Sequence, residues 1–426
     1  MSLGILVIIA FFALFLLGVP VAFSILIPSI AYIVWEGIPL VTISQRTLYA
    51  LDSFPLVAVP VFIFVGNLMN AAGITEKLFH FADVLVGRLY GGLAQVNIFA
   101  SLIFSGISGA ALADVGGLGR IEIKAMRDRG FPLPFSTAVT GASAVVGPIF
   151  PPSIPIIIYA SVTSVSALQM LVAGILPALL CVAMLMITVA IIAMRTDLPR
   201  APRWPRSSEL WRAFVPAAPA LLAPVILIGS MLSGRFTPTE ASSVAVVYVL
   251  IVGVLYYRDM TWAFIYRAAL ETVRSTAAIL FIVAAAAMFG WILAVEQIPQ
   301  DFAVWFKGIS DSPFVLLLIV NAIFFVAGMF IDSTTATLLL VPIVATPMMA
   351  AGVDPVHLGI VVILNLMIGT TTPPFGLTLF LLCSMTGLSF TQLVRAMVPM
   401  YIPLFLTLLL LTAFPAIALL LPELLR

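Results

Sequence analysis

Four short stretches gather oxygen ligands and proline pairs inside long apolar runs. S-G-I-S-G spans Ser105 to Gly109, and G-P-I-F-P-P-S spans Gly147 to Ser153. D-S-T-T spans Asp332 to Thr335, and G-T-T-T-P-P spans Gly369 to Pro374. A proline removes a backbone donor and clashes with the preceding turn. Pro151-Pro152 and Pro373-Pro374 are therefore predicted to unwind their helices. In hydrocarbon each freed backbone group costs several kcal/mol unless something satisfies it. A double break at membrane depth thus points to backbone that lines a cavity or holds an ion.

Hydroxyl, carbonyl and carboxylate oxygens suit a hard monovalent cation, and no His/Cys cluster suits a transition metal. Two Na⁺ sites are expected where a hairpin tip meets a break. The first draws on Ser105, Ser108, Gly109 and Gly147, the second on Asp332, Ser333, Thr334, Gly369, Thr370 and Thr371. Substrate contacts are expected from Ser108, Pro151, Pro152, Ser153, Thr334, Thr372, Pro373 and Pro374. Serine and threonine in membrane helices also bond back to their own helix, which is the bland alternative for each hydroxyl. An intramembrane carboxylate is functional by default, which favours Asp332, although a helix cap is the competing role. Asp114, on the far arm of the first hairpin, reads either way. No Lys or Arg lies near either proline pair, so an anionic substrate must be held by helix ends, hydroxyls and bound cations.

The elements that position these residues occur twice. An offset of 222 pairs Gly147 with Gly369, Pro151 with Pro373 and Pro152 with Pro374, and also Gly106 with Gly328, Gly130 with Gly352 and Pro177 with Pro399. Chance predicts roughly one such match, so the core reads as duplicated. The chain has 426 residues, 63% hydrophobic and 9% charged, against about 25% charged in soluble proteins. It is an all-α polytopic membrane protein. A net charge of +1 without a basic stripe gives no sign of a nucleic-acid partner, and two distant cysteines build no disulfide framework. The N-terminal apolar run lacks a basic leader and reads as a retained helix.

Residues 1–91 are expected to form scaffold helices and an interfacial arm, and 92–168 a re-entrant hairpin and broken helix. Residues 169–212 give a span and hydrophilic linker, and 213–312 a second scaffold set, with a surface helix at 258–275 and a span at 276–295. Residues 313–393 give the second hairpin and broken helix, and 394–426 the last span. Each half then has five crossings. Five is odd, so the two repeats are inverted. Placing the linker in the cytoplasm puts fifteen Lys/Arg inside and four outside, as the positive-inside bias requires. Both termini are then periplasmic.

F-S-G-I-S-G-A-A-L-A-D with G-P-I-F-P-P-S-I-P-I-I-I-Y, and D-S-T-T-A-T with G-T-T-T-P-P-F-G-L, resemble the large membrane subunit of tripartite ATP-independent periplasmic (TRAP) transporters over essentially the whole chain. The resemblance implies an elevator-type secondary transporter of the bacterial inner membrane, with no enzymatic activity. It implies Na⁺ as the coupling ion and a small organic acid as substrate, such as a C4-dicarboxylate, sialic acid or a keto acid. It implies a small four-helix membrane subunit and a periplasmic substrate-binding protein as partners, within the lipid bilayer. The chain opens on the first large-subunit helix, so no fused small subunit is expected. Ala110 stands where many members carry a further serine, which leaves only a carbonyl there. A stand-alone Na⁺/dicarboxylate symporter of related fold is the second reading. An intramembrane aspartyl protease using Asp114 and Asp332 is the third, and neither aspartate has a Gly-x-Gly-Asp setting.

Overall fold

The computed structural model describes residues 3–71, 74–109, 111–196, 198–201, 203–258 and 260–424, with only the backbone course at 54, 55, 70, 71, 74, 105–108 and 113. Among these residues there is no strand. The chain begins with α1 (Leu3–Leu16), α2 (Val21–Trp35), α3 (Val41–Leu51), α4 (Phe54–Ala71) and α5 (Ile74–Val86). A hairpin follows, α6 (Leu93–Ser108) and α7 (Ala111–Asp128), and then a broken helix, α8 (Leu133–Ser143) and α9 (Ile154–Thr163). After α10 (Ala167–Ala173) and α11 (Ile175–Thr196) the linker leads to α12 (Ser207–Leu232), α13 (Pro238–Ile251), α14 (Trp262–Val295) and α15 (Ile298–Ile309). The second hairpin is α16 (Pro313–Phe330) and α17 (Ser333–Ala350). The second broken helix is α18 (Pro355–Thr370) and α19 (Leu377–Thr386), and α20 (Phe390–Ala413) and α21 (Ala416–Leu424) close the chain.

Among the described residues seven helices are long and apolar enough to cross a membrane, counting α10 with α11 as one. The four halves of the broken helices are shorter, 10 to 16 residues, so each crosses only together with its other half. One expected boundary is absent. α14 runs unbroken for 34 residues, about 51 Å at 1.5 Å per residue, where a surface helix and a separate span were expected. Arg267, Glu271 and Arg274 lie on its first half, but charges do not stop a helix, and no proline lies between Trp262 and Val295. The last span is also divided, with α20 ending before Pro415 and α21 following.

α14 packs on α2, α3, α4 and α17, while α12 packs on α5 and α13, and α13 on α4. The second group holds the repeats: α16 packs on α18, α8 on α20, α9 on α17, and α11 on α6 and α20. The broken helices run through its centre. Every residue from Ser136 to Ser143, from Ile154 to Ala160 and from Val356 to Thr370 is buried. A helix apolar all round is one enclosed by other helices. Outer helices instead present apolar side chains outward, Leu16, Ile187 and Val247 among them, as a bilayer requires.

Polar bonds tie each hairpin to its neighbours. Asn97 on α6 donates to Thr140 at 2.7 Å and accepts from Ser143 at 2.9 Å, and Ser101 donates to Ser143 at 3.0 Å. In the second half Asn365 on α18 donates to the Asn321 carbonyl at 2.7 Å and to its side chain at 2.9 Å, and Asn321 donates to Thr412 at 2.9 Å. Interhelical bonds of this kind contribute about 0.6 kcal/mol each in membranes. Their effect is to fix which faces meet.

Candidate functional site

Each break is fastened to its own hairpin. In the first half, Gly109 turns the hairpin with φ +60°, and its carbonyl accepts the Ile154 N–H at 3.4 Å. A Cβ at Gly109 would lie 2.5 Å from the Pro152 carbonyl oxygen, so glycine alone allows this approach. In the second half the Gly376 N–H donates to the Met329 carbonyl at 3.0 Å. Gly328 and Gly369 stand back to back, each leaving less than 3 Å for a Cβ before the other helix's backbone. Both proline pairs, Pro151-Pro152 and Pro373-Pro374, are cis.

The hydroxyls at the breaks largely serve the backbone. Past Ser143 the chain tightens into a 3₁₀ turn that ends at Gly147. Ser153 caps α9: its hydroxyl accepts the Ile156 N–H at 3.2 Å and donates to the Pro148 carbonyl. Thr370 bonds the Met367 carbonyl, and Thr371 and Thr372 the Ile368 carbonyl, each at 2.8 Å. The Thr371 carbonyl accepts the Tyr401 hydroxyl at 2.6 Å. Asp332 is the N-cap of α17, accepting the N–H groups of Thr334 at 3.0 Å and Thr335 at 3.1 Å and the Thr335 hydroxyl. The cap role of Asp332 is thus realised, and the residue also lines a cavity.

That cavity, about 130 Å³, is where the four elements meet. The first hairpin contributes Ala111 and Leu112, and the first break Pro148, Ile154 and Pro155. The second hairpin contributes Asp332, Ser333 and Thr334, the second break Met367, Thr370, Leu377 and Thr378, and α14 contributes Ile279. Among the described residues Asp332 is the one ionisable group in this lining, and no Lys or Arg joins it. The volume admits several waters, hence a partly hydrated monovalent ion or a single carboxylate group. Four helix N-termini, those of α7, α9, α17 and α19, reach the lining. Those of α9 and α17 are capped by Ser153 and Asp332, whereas α19 starts at Gly376 without a side-chain cap.

Of the residues expected at the site, Asp332, Ser333, Thr334 and Thr370 line the cavity. Gly109, Gly147, Pro151, Pro152, Ser153, Gly369, Thr371 and Thr372 build the backbone behind it. Gly109, Gly147, Pro151, Pro152 and Ser153 are buried, whereas Pro373 is half-buried and Pro374 exposed. The side chains of Ser105 and Ser108 lie outside the described residues, as does Ala110. Thr378, Pro148 and Ile279 were not foreseen. Thr378 carried a signal, a hydroxyl two residues past the glycine that ends the second break, while Ile279 arrives by packing alone. Asp114 is buried on α7, off the cavity, with Glu122 buried on the same face. The two aspartates that a protease would need therefore do not share a site.

Paired hairpins and broken helices converging on a largely apolar cavity that holds a carboxylate and several hydroxyls, inside a helical bundle, are the architecture of a membrane permease. The chain belongs to the family described as Tripartite ATP-independent periplasmic transporter, DctM component, which matches residues 8–417. It is 44% identical over 411 residues to the sialic acid TRAP transporter large permease protein SiaM of Vibrio cholerae, covering 96% of this chain and 95% of that one. It is 36% identical to the C4-dicarboxylate TRAP transporter large permease protein DctM of Pseudomonas aeruginosa, over 87% of each. It is 33% identical to the 2,3-diketo-L-gulonate TRAP transporter large permease protein YiaN of Escherichia coli, over 91% of this chain and 92% of that one. In fold it is similar to the Alcanivorax borkumensis YdaH transporter, with a TM-score of 0.66 at 17% identity over 88% of this chain and 87% of the other. These relatives are transport permeases, not enzymes.

Proposed function

We propose that this permease imports a small organic carboxylate together with Na⁺, by an elevator motion of its two hairpins and broken helices against the remaining helices. The observation that carries this is the cavity: two hairpins and two broken helices meet there beside Asp332, with no Lys or Arg among the described lining residues. A carboxylate entering such a place needs its charge offset. Na⁺ held by Asp332, hydroxyls and break carbonyls supplies part of that, and the uncapped N-terminus of α19 supplies partial positive charge. Relatives named for sialic acid, C4-dicarboxylate and diketogulonate transport all handle acids, which supports the substrate class. Ile279 of α14 closes one wall, so this wall must slide past the site for access to alternate. The five-crossing repeats and the Lys/Arg bias support an inverted topology in an inner membrane, with both termini periplasmic.

A site without strong fixed positive charge binds weakly, which fits delivery of substrate by a periplasmic binding protein. α3 buries none of its side chains and exposes Leu48 and Tyr49, which offers a small membrane subunit a surface. The test is reconstitution in liposomes with an inward Na⁺ gradient and a labelled organic acid. Uptake is expected to require this chain, the small membrane subunit and the binding protein together. Robust Na⁺-driven uptake by this chain alone at micromolar substrate would replace this reading with that of a stand-alone symporter.

A further inference from the structure

A second, larger cavity of about 700 Å³ lies away from the transport site, between α5, the start of α6, the linker and the start of α12. Arg88, Arg129, Arg200, Arg203 and Arg212 line it. Two of the five are committed: Arg129 to Asp83 in a fork at 3.2 and 2.7 Å, and Arg203 to Glu209 at 2.6 Å. Arg88, Arg200 and Arg212 have no carboxylate partner among the described residues. The Arg88 Nε is buried without a hydrogen-bond acceptor, and the Arg200 guanidinium carbon sits over the Tyr90 ring, 4.3 Å from its centroid. The linker is held in place as the cavity's rim, because the Ala201 N–H donates to the Gly87 carbonyl at 3.0 Å.

We propose that this cavity binds the phosphate of an anionic phospholipid head group. Guanidinium forks match phosphate oxygens, and the three free arginines leave a positive excess unsatisfied by protein. The depth also fits a lipid. Tyr90, Trp204 and Trp211 are exposed around the cavity, as aromatic residues are at head-group level. From there α12 enters its apolar span, with Trp211, Val215 and Leu222 exposed at helical spacing. That stripe gives an acyl chain a track directly below the arginines, which a free phosphate compound would not use. Basic pockets between membrane helices bind anionic head groups elsewhere on the same grounds. The occupant would touch both α12 and the base of the first hairpin, at Leu93 and Phe131.

The test uses the full-length protein purified in neutral detergent, with binding read by native mass spectrometry against phosphatidylglycerol and phosphatidylcholine. Each such cation is worth about fivefold in affinity for an anionic lipid. The Arg88→Gln/Arg200→Gln/Arg212→Gln variant should therefore bind phosphatidylglycerol about a hundredfold more weakly, while the wild type prefers it over phosphatidylcholine. Arg200→Gln alone, at an exposed position, should lose about fivefold, which keeps the test valid if the triple variant does not fold. Equal binding of the two lipids, or variants that bind phosphatidylglycerol like the wild type, overturns the proposal. Displacement of the lipid by millimolar inorganic phosphate overturns it too, by making the pocket one for free phosphate.

Discussion

Gly369→Ala tests whether the contact between the second hairpin and the second break sets the Na⁺ site proposed above. The added Cβ would lie 2.7 Å from both the Cα and the carbonyl carbon of Gly328 and 3.0 Å from the Phe325 carbonyl oxygen. All three are backbone atoms of α16, so no side chain can swing aside. Ordinary contact begins at 3.4 Å, and α16 and α18 must therefore separate by about 0.7 Å, at a cost of about 1–3 kcal/mol for overpacking. The displacement falls where it matters. Thr370 follows Gly369 directly, and Asp332 lies four residues beyond Gly328, so the two walls of the cavity move apart. If bound Na⁺ needs the closed spacing, this cost appears as about a 5–150-fold rise in the Na⁺ concentration for half-maximal uptake. Gly328→Ala should act in the same direction, and the double variant should be less than additive because one separation relieves both clashes. Gly290→Ala is the control: its Cβ would meet Pro342 at 3.9 Å, an ordinary contact. The assay is uptake against Na⁺ in the reconstituted three-part system, with membrane levels matched. A Gly369→Ala protein of normal abundance and unchanged Na⁺ dependence would refute the reasoning.

Asp332→Asn separates charge from cap. Asparagine keeps an acceptor for the Thr334 and Thr335 N–H groups, so folding should hold while the Na⁺ dependence weakens. Asp332→Ala should additionally lose about 1 kcal/mol of helix capping, read as lower thermal stability. An Asn variant with wild-type Na⁺ dependence would reduce Asp332 to a cap. For topology, cysteines at the exposed positions Arg127 and Lys307 are challenged with an impermeant thiol reagent in spheroplasts. Position 307 should label and position 127 should not, and the reverse pattern would turn the whole arrangement over.

What could be read from the sequence was the chemistry that acts locally. A proline pair breaks a helix whatever surrounds it, so both breaks and their common offset were legible. The D-S-T-T stretch carries its own cap: an aspartate three residues before a backbone N–H accepts it whether or not an ion is near. The sequence could not say which of its two roles Asp332 takes, because they differ only in what lies across the cavity. Contacts made by distant chain were out of reach. Ile279 enters the site only because α14 packs on α17, and nothing in its neighbourhood marks it. The expected end of a surface helix near residue 275 failed for the opposite reason. Charge there reports what the helix is wet by, whereas its continuity depends on proline and glycine, which that stretch lacks until Gly290.

The two halves share a plan but differ in how they treat it. From Gly147 to Ser153 the first break is buried apart from a half-exposed Phe150, and its returning helix is capped by Ser153. In the second, Pro374 and Phe375 are exposed and α19 starts from Gly376 with no side-chain cap. An enclosed, self-satisfied break has few groups left for a ligand. An open one whose returning helix lacks a side-chain cap retains both access and positive partial charge. Asp332 sharpens the difference, because the position 222 residues before it is Ala110. The two halves thus give similar hairpins, while the carboxylate in the described lining and the exposed break belong to the second half. On this argument the first half chiefly holds the cavity's geometry, and a Na⁺ bound as proposed above would meet its carboxylate in the second.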